Sequence, residues 1–471
     1  MNFHVDWRKL GPSPCCQWSI LLLGLTSLFF MGCQTKPSGP HWIEDQSDAS
    51  VEPQAPDASL EEPPDGGDID AGSPDADGHA PQAVGMTLSS PLPTKNERFG
   101  LSVAVHGQTV LIGAPGGALS RNDSGAAYLF ERNPDGIWLP GKQLLQNEAQ
   151  PGDEFGYSVA MKGEVLVVGA PFGKHEDSPT GTAFILERQK ADDEWVKQAQ
   201  LIPEEGKAYG FFGAAVATDG TRVVVGGMEL GAHKEGRVQV YSKREGKWVL
   251  EAVLAANDGT PYTQFGVSVA ISGDTLLVGA DTDGAKGTAA GAAYVFFYGD
   301  GKWKQQAKLL ASQGDELDFF GYSVDLQGDT AVIGAHLDEV REGGEPTGAV
   351  YVFSRIGATW SEQARLTPSD QTPGGSFGIS VAVEGEKLVA GAYQNGDKGA
   401  NAGAMYVFQR AGKTWSEVMK LHRKGATAEE EFGYCVDISE TGLVVAGAPG
   451  VDAPATDSGA IYLMPSEHFS R

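Results

Sequence analysis

The sequence predicts an all-β chain: a seven-bladed β-propeller with four antiparallel strands per blade, its ring closed by an N-terminal strand that completes the last blade. Three observations predict it. The pair Phe-Gly recurs at Phe99-Gly100, Phe155-Gly156, Phe212-Gly213, Phe265-Gly266, Phe320-Gly321, Phe377-Gly378 and Phe432-Gly433, at spacings of 56, 57, 53, 55, 57 and 55 residues. A near-constant period of that length marks one supersecondary unit copied in tandem. Each copy carries four short segments rich in Val, Leu, Tyr, Phe and Trp and bounded by turn residues, and no window repeats apolar residues at helical spacing. Finally, seven leading segments are matched by only six Trp-bearing fourth segments, so one outer strand must come from elsewhere.

The four segments keep a fixed order. In the fourth copy they read FGVSVAISG, DTLLVGA, GAAYVFF and KWKQQAKLL. The first has small residues at alternate positions (Ser102 and Ala104, Ser158 and Ala160, Ser268 and Ala270), as strands crowded around a narrow channel require. The second is a continuous apolar run, as at 165–168 and 276–278, which needs cover on both faces. Neighbouring blades provide it, whereas a lone sandwich would leave one face wet. The Trp residues of the fourth segment (Trp138, Trp195, Trp248, Trp303, Trp360, Trp415) read as wedges between blades, since a buried aromatic mainly supplies packing area. The missing outer strand is assigned to residues 83–89. Leu88 lies eleven residues before Phe99, as Leu254 lies eleven before Phe265. Closure of this kind hides an edge otherwise open to other chains.

Upstream of the repeats the character changes twice. Arg8 and Lys9 precede an apolar run from 19 to 31 that ends in Gly32-Cys33, a signal-peptide pattern over residues 1–32. The Phe-Met-Gly-Cys ending resembles a bacterial lipobox, which implies lipidation of Cys33 and a membrane anchor on the outer membrane or cell surface. Residues 33–82 follow as a disordered linker crowded with Pro, Asp, Ala, Gly and Ser, holding too little apolar surface to offset its chain entropy. Of the four cysteines only Cys435 belongs to the mature propeller, at residues 83–471. It stands where other copies have Ser and reads as a packed small residue.

The order FGxSVA, VGAP, GAAYVF and W…AKL is similar to the FG-GAP repeat, the unit of the integrin alpha-subunit propeller, and especially to its bacterial variant. The resemblance runs over about residues 83–471 and implies extracellular binding or adhesion, without naming a ligand. One family feature is missing. The resemblance would place a calcium loop, D-x-D-x-D-G, before the VGAP strand, but tight turns stand there: HGQT at 106–109, KGEV at 162–165, SGDT at 272–275 and QGDT at 327–330. A tight turn cannot supply the six to eight oxygens that calcium takes. The chain therefore implies no metal or other cofactor from the repeat itself, and calcium is left open only at Asp281 and Asp283, a fragment of such a loop.

Charge narrows the partners. The formal net charge is −27, made up of +1 on residues 1–32, −11 on the linker and −17 on the propeller. Alternating strand direction sends the second-to-third and fourth-to-first connections to one side, and these connections hold the whole propeller charge. An acidic side excludes nucleic acid, which needs a basic surface. A protein or glycan partner is expected there, on a monomeric propeller. The fifth copy is densest, with Asp315, Glu316 and Asp318 before its Phe-Gly and Asp338, Glu339, Glu342 and Glu345 in its longest connection, so these are the candidate binding residues. No nucleophile elbow, HExxH, P-loop or paired-His spacing appears, and His106, His175, His233, His336 and His422 fall in different loops or turns. The chain is read as a binder and not an enzyme, with a hydrolase or lyase at the channel mouth as the alternative.

Overall fold

The computed structural model describes residues 69–71, 85–116, 124–145, 149–175, 178–189, 194–203, 210–228, 236–339, 345–452 and 455–465. The expected signal segment, with Cys33, and most of the expected linker lie outside them.

Seven antiparallel sheets, each built on four strands with a fifth added in blade six, form a closed ring of blades, and no helix occurs among the described residues. The innermost strands, in blade order, are Ser102–His106, Ser158–Lys162, Ala215–Thr218, Val269–Ser272, Ser323–Gln327, Val381–Glu384 and Val436–Ile438. Each packs beside the next, and the seventh returns to the first. Blade seven takes its outer strand from Met86–Ser89, in register with Ala460–Pro465 so that Leu88 stands opposite Ile461. The N-terminal closing strand is therefore observed; it begins at Met86, with Gly85 just outside it.

The core lies between blades. Buried apolar residues fall into seven clusters, and each joins the facing sides of two neighbours, as where Val103, Val105 and Ile112 of blade one meet Val445, Ile461 and Leu463 of blade seven. The continuous apolar second strands are buried throughout, as two-sided cover requires. At the perimeter, Trp indoles bolt blades together. Trp248 Nε1 donates to Glu187 at 2.9 Å, Trp303 to Glu251 at 2.8 Å and Trp360 to Gln306 at 2.8 Å, each acceptor belonging to the preceding blade.

Phe-Gly and the VGAP glycine are two halves of one contact. Each Phe is buried, and six of the seven lie against rings of their own blade, as Phe99 does against Tyr128 and Phe130. The glycine after it has a left-handed φ, between 83 and 96° in the seven copies. Its amide donates to the VGAP glycine of its own blade, for example Gly156 N to Gly169 O at 3.0 Å. Its carbonyl faces back to the preceding blade, where Ser102 Oγ donates to Gly156 O at 2.9 Å; Ser158, Ser268 and Ser323 do the same to Gly213, Gly321 and Gly378. The small residues of the first segment are thus latches as well as space savers.

Candidate functional site

The loops that could meet a partner are built in interlocking pairs. The loop leading into each Phe-Gly packs on the second-to-third connection of the blade before it. Into blade five, Leu317 N and Phe319 N donate to Thr288 O and Ala289 O of blade four, while Lys286 Nζ bonds Ala311 O at 2.6 Å. The residue just before each Phe, from Arg98 to Glu431, sits at φ between 47 and 58°. That left-handed step turns the chain from the loop into the inner strand.

Within this framework several acids predicted as ligands are consumed by the blade. In blade five the Tyr351 hydroxyl donates to Asp338 at 2.6 Å and Arg365 pairs with the same carboxylate. Asp338 is 1% exposed and Asp318 2%. Burial, with Asp338 and Asp315 nearby, pushes the Asp318 carboxyl up to about 7. Blades four and six repeat the clamp: Tyr294 donates to Asp283 at 2.7 Å beside Lys308, and Tyr406 to Asp370 at 2.8 Å beside Lys420. A Tyr on the third strand, an acid on a loop and a cation on the outer strand thus tie loop to sheet. Asp338 and Asp283 are not available as the sequence suggests, because a Tyr and a Lys or Arg some 10 to 30 positions away converge on them, and Asp318 is buried and accepts from Asp315 N at 2.6 Å.

What remains accessible is narrower. Asp315, Glu316, Glu339 and Glu345 are exposed, and Glu342 lies outside the described residues. Beside them Leu317 is 54% exposed, and Tyr262, at the matching place in the blade-four loop, 37%; both sit at positive φ. Acids and apolar tips therefore share the rim of blades four and five.

Asp281 has a different character. Its carboxylate is buried, neither oxygen has a hydrogen-bond partner, and burial raises it to about 7. The matching slot in blade five holds His336, also buried and unpartnered, and burial lowers it to about 3. An unfolded Asp titrates near 4, so between about pH 4 and 7 the folded state holds an extra proton on Asp281. The stability this gives is fully present below about pH 4 and lost as pH rises through 7. Asp281→Asn is expected to stabilise the protein by on the order of 2 kcal/mol at pH 8.5 and by little at pH 5. Urea midpoints at the two pH values check it, and an equal gain at both would contradict the assignment.

Sequence reading missed two carboxylates at the innermost ring. Asp325 and Asp437 replace the Ala found at this position in the other five copies (Ala104, Ala160, Ala217, Ala270, Ala382), a signal visible in SVD and CVD against SVA. Each staples two blades. Asp325 accepts from Val383 N of blade six at 2.7 Å, and Asp437 from Val105 N of blade one at 2.7 Å. The second oxygen of each takes an amide of its own strand, from Leu326 and Ile438. Burial raises Asp325 to about 6 and Asp437 to about 7, with Asp325 adding to the shift of Asp437 and Lys162 opposing both. Cys435, two residues from Asp437, is held by burial as a thiol with a pKa near 11, fitting a packed residue. His422 lies in the outer strand Thr414–Arg423 rather than in a loop, its Nδ1 3.1 Å from Gly403 O. Among the described residues no three His, Cys, Asp or Glu side chains gather as a metal-ligand set.

Comparison with known proteins bears on the same residues. A family model described as FG-GAP repeat matches seven times, over residues 93–130, 138–186, 195–241, 248–296, 303–353, 360–408 and 415–464. Six of these matches begin at a Trp, five of them in outer strands and Trp138 just ahead of one, so each of these units is offset from a blade and bridges two of them. Integrin alpha-3 of Cricetulus griseus is 27% identical over 257 residues, which cover 48% of this chain and 22% of that protein. The chain thus matches about a fifth of that relative's length. Among solved structures, the crystal structure of Saccharomyces cerevisiae Sqt1 aligns over 80% of this chain and 99% of its own, with a TM-score of 0.45 and 11% identity.

Proposed function

The chain belongs to the FG-GAP repeat family, and from that premise we propose that it is an exported, lipid-anchored binding module that holds a protein or glycan partner on the acidic loop side of its propeller. The single observation that carries the reading is the rim of blades four and five. There Asp315, Glu316, Glu339 and Glu345 stay exposed on the blade-five loops that also carry the apolar tip Leu317, with Tyr262 at the matching place in blade four, while other acids are tied into the blades. Exposed apolar tips on charged loops offer a contact centre with a polar rim, the usual anatomy of a recognition patch. Matching positive groups on the partner would speed its capture and set its orientation. The likeness to an integrin alpha chain supports binding as the mode of action, and Cys33 would supply the anchor through acyl chains. The closed ring of blades is a rigid base that displays loops, where binding residues concentrate.

The alternative, a hydrolase or lyase at the channel, would draw on Asp325 and Asp437. Both have their oxygens engaged by strand amides, which favours a stapling role for them. Changing Asp315, Glu316, Glu339 and Glu345 to Asn and Gln is expected to abolish capture of the partner from a detergent extract of the native envelope. Capture that survives this change in high salt would overturn the proposal.

A further inference from the structure

Blade six differs from the others at its outer edge. Outer strands of blades two to five stop at Leu201, Leu254, Leu309 and Leu366, whereas that of blade six, Thr414–Arg423, runs two residues past the matching Leu421. A fifth strand, Ile69–Ala71, pairs antiparallel with this extension, Ile69 opposite Arg423, Asp70 opposite His422 and Ala71 opposite Leu421. It comes from within the acidic linker. The side chains of the extension are already engaged: Arg423 bonds Glu430 of the loop that enters blade seven, and His422 contacts Gly403 O of its own blade. What the edge presents is main chain, so it recognises an extended backbone as a strand-addition site does.

We propose that the outer edge of blade six is a strand-acceptor site, occupied in cis by the linker segment Ile69–Ala71. An unpaired edge invites pairing with other chains, and the segment caps this one. A three-residue ladder has few bonds to set against the entropy of ordering it, so the contact is reversible. The consequence rests on the reading of residues 33–82 as an anchoring tether. Tension arriving from the N-terminus reaches residues 69–71 before it reaches the closing strand at 86–89, so a weak, re-formable contact yields ahead of the one that holds the ring.

Hydrogen exchange on the full chain tests this. With Ile69 and Ala71 both changed to Pro, which removes ladder donors, amides of Leu421 to Arg423 are expected to exchange at least tenfold faster, while outer strands 302–309 and 359–366 stay unchanged. A synthetic peptide of residues 64–75 should restore the protection in the variant. Unchanged exchange in the variant, no rescue by the peptide, or wild-type protection that rises with protein concentration (docking between copies) would each overturn the proposal. If the variant unfolds, exchange accelerates in all three strands; the double change Ile69→Ala and Asp70→Gly then serves, with the same selective loss expected.

Discussion

Replacing Thr87 and Leu88 together by proline is expected to open the ring and drive the protein to aggregate or unfold. These residues form the middle of the strand that pairs with Ala460–Pro465, and Leu88 packs on the cluster joining blades seven and one. Losing a four-residue ladder costs about 0.5–1.5 kcal/mol per bond. Exposing Leu88 adds about 2 kcal/mol. The total approaches the 5–15 kcal/mol by which ordinary domains are stable. Among the described residues no disulfide holds the ring shut, and Cys435 there is a free thiol. The freed edge of blade seven is then a template for intermolecular pairing. Size-exclusion chromatography and a melting curve check it, and a monomer with unchanged melting would refute closure by this strand.

The second large effect is expected at the VGAP glycines. A Cβ on Gly391 would lie 1.8 Å from Gly433 O of the next blade, and one on Gly447 1.9 Å from Gly100 O. The other five copies show the same approach at 1.9 to 2.2 Å. None of these glycines has a left-handed φ, so alanine fits their backbone and only the neighbouring carbonyl excludes it. That carbonyl is main chain and cannot swing away, so two blades must part. Gly391→Ala is therefore expected to cost 3 kcal/mol or more, on the order of the upper range for overpacking. Gly385→Ala, in a turn of the same blade with open space around it and φ +60°, should cost only about 1 kcal/mol for conformational strain. Urea midpoints of the two variants check the contrast, and equal costs would contradict the inter-blade contact.

These glycines show what the sequence could and could not disclose. Period and strand pattern were legible because each copy repeats the same local chemistry, and Leu88 betrayed the closing strand by its distance from Phe99. The reason for the repeat was hidden. Gly113 meets Gly156, and Ser102 meets the same carbonyl, across a distance set by the fold rather than by the chain. This is why the Ala of the triplet can become Gly227 and its Pro can become Met228, Asp281 or His336, while its first glycine persists in all seven copies. The candidate site was legible as a concentration of acids on two kinds of loop. Which acids face solvent was not, because Tyr351 with Arg365, and Tyr294 with Lys308, remove Asp338 and Asp283 through contacts between strands and loops.

The central claim is that binding resides on the loop side of blades four and five and not in the charge of the molecule at large. Two variants with the same change in charge test it most directly, compared for capture from the native envelope at moderate salt. One neutralises Asp315, Glu316, Glu339 and Glu345; the other neutralises Asp135, Glu164, Glu245 and Glu386, exposed acids in the tight turns. Capture should be lost in the first and kept in the second. Equal loss in both, or capture kept by the first, would contradict the claim.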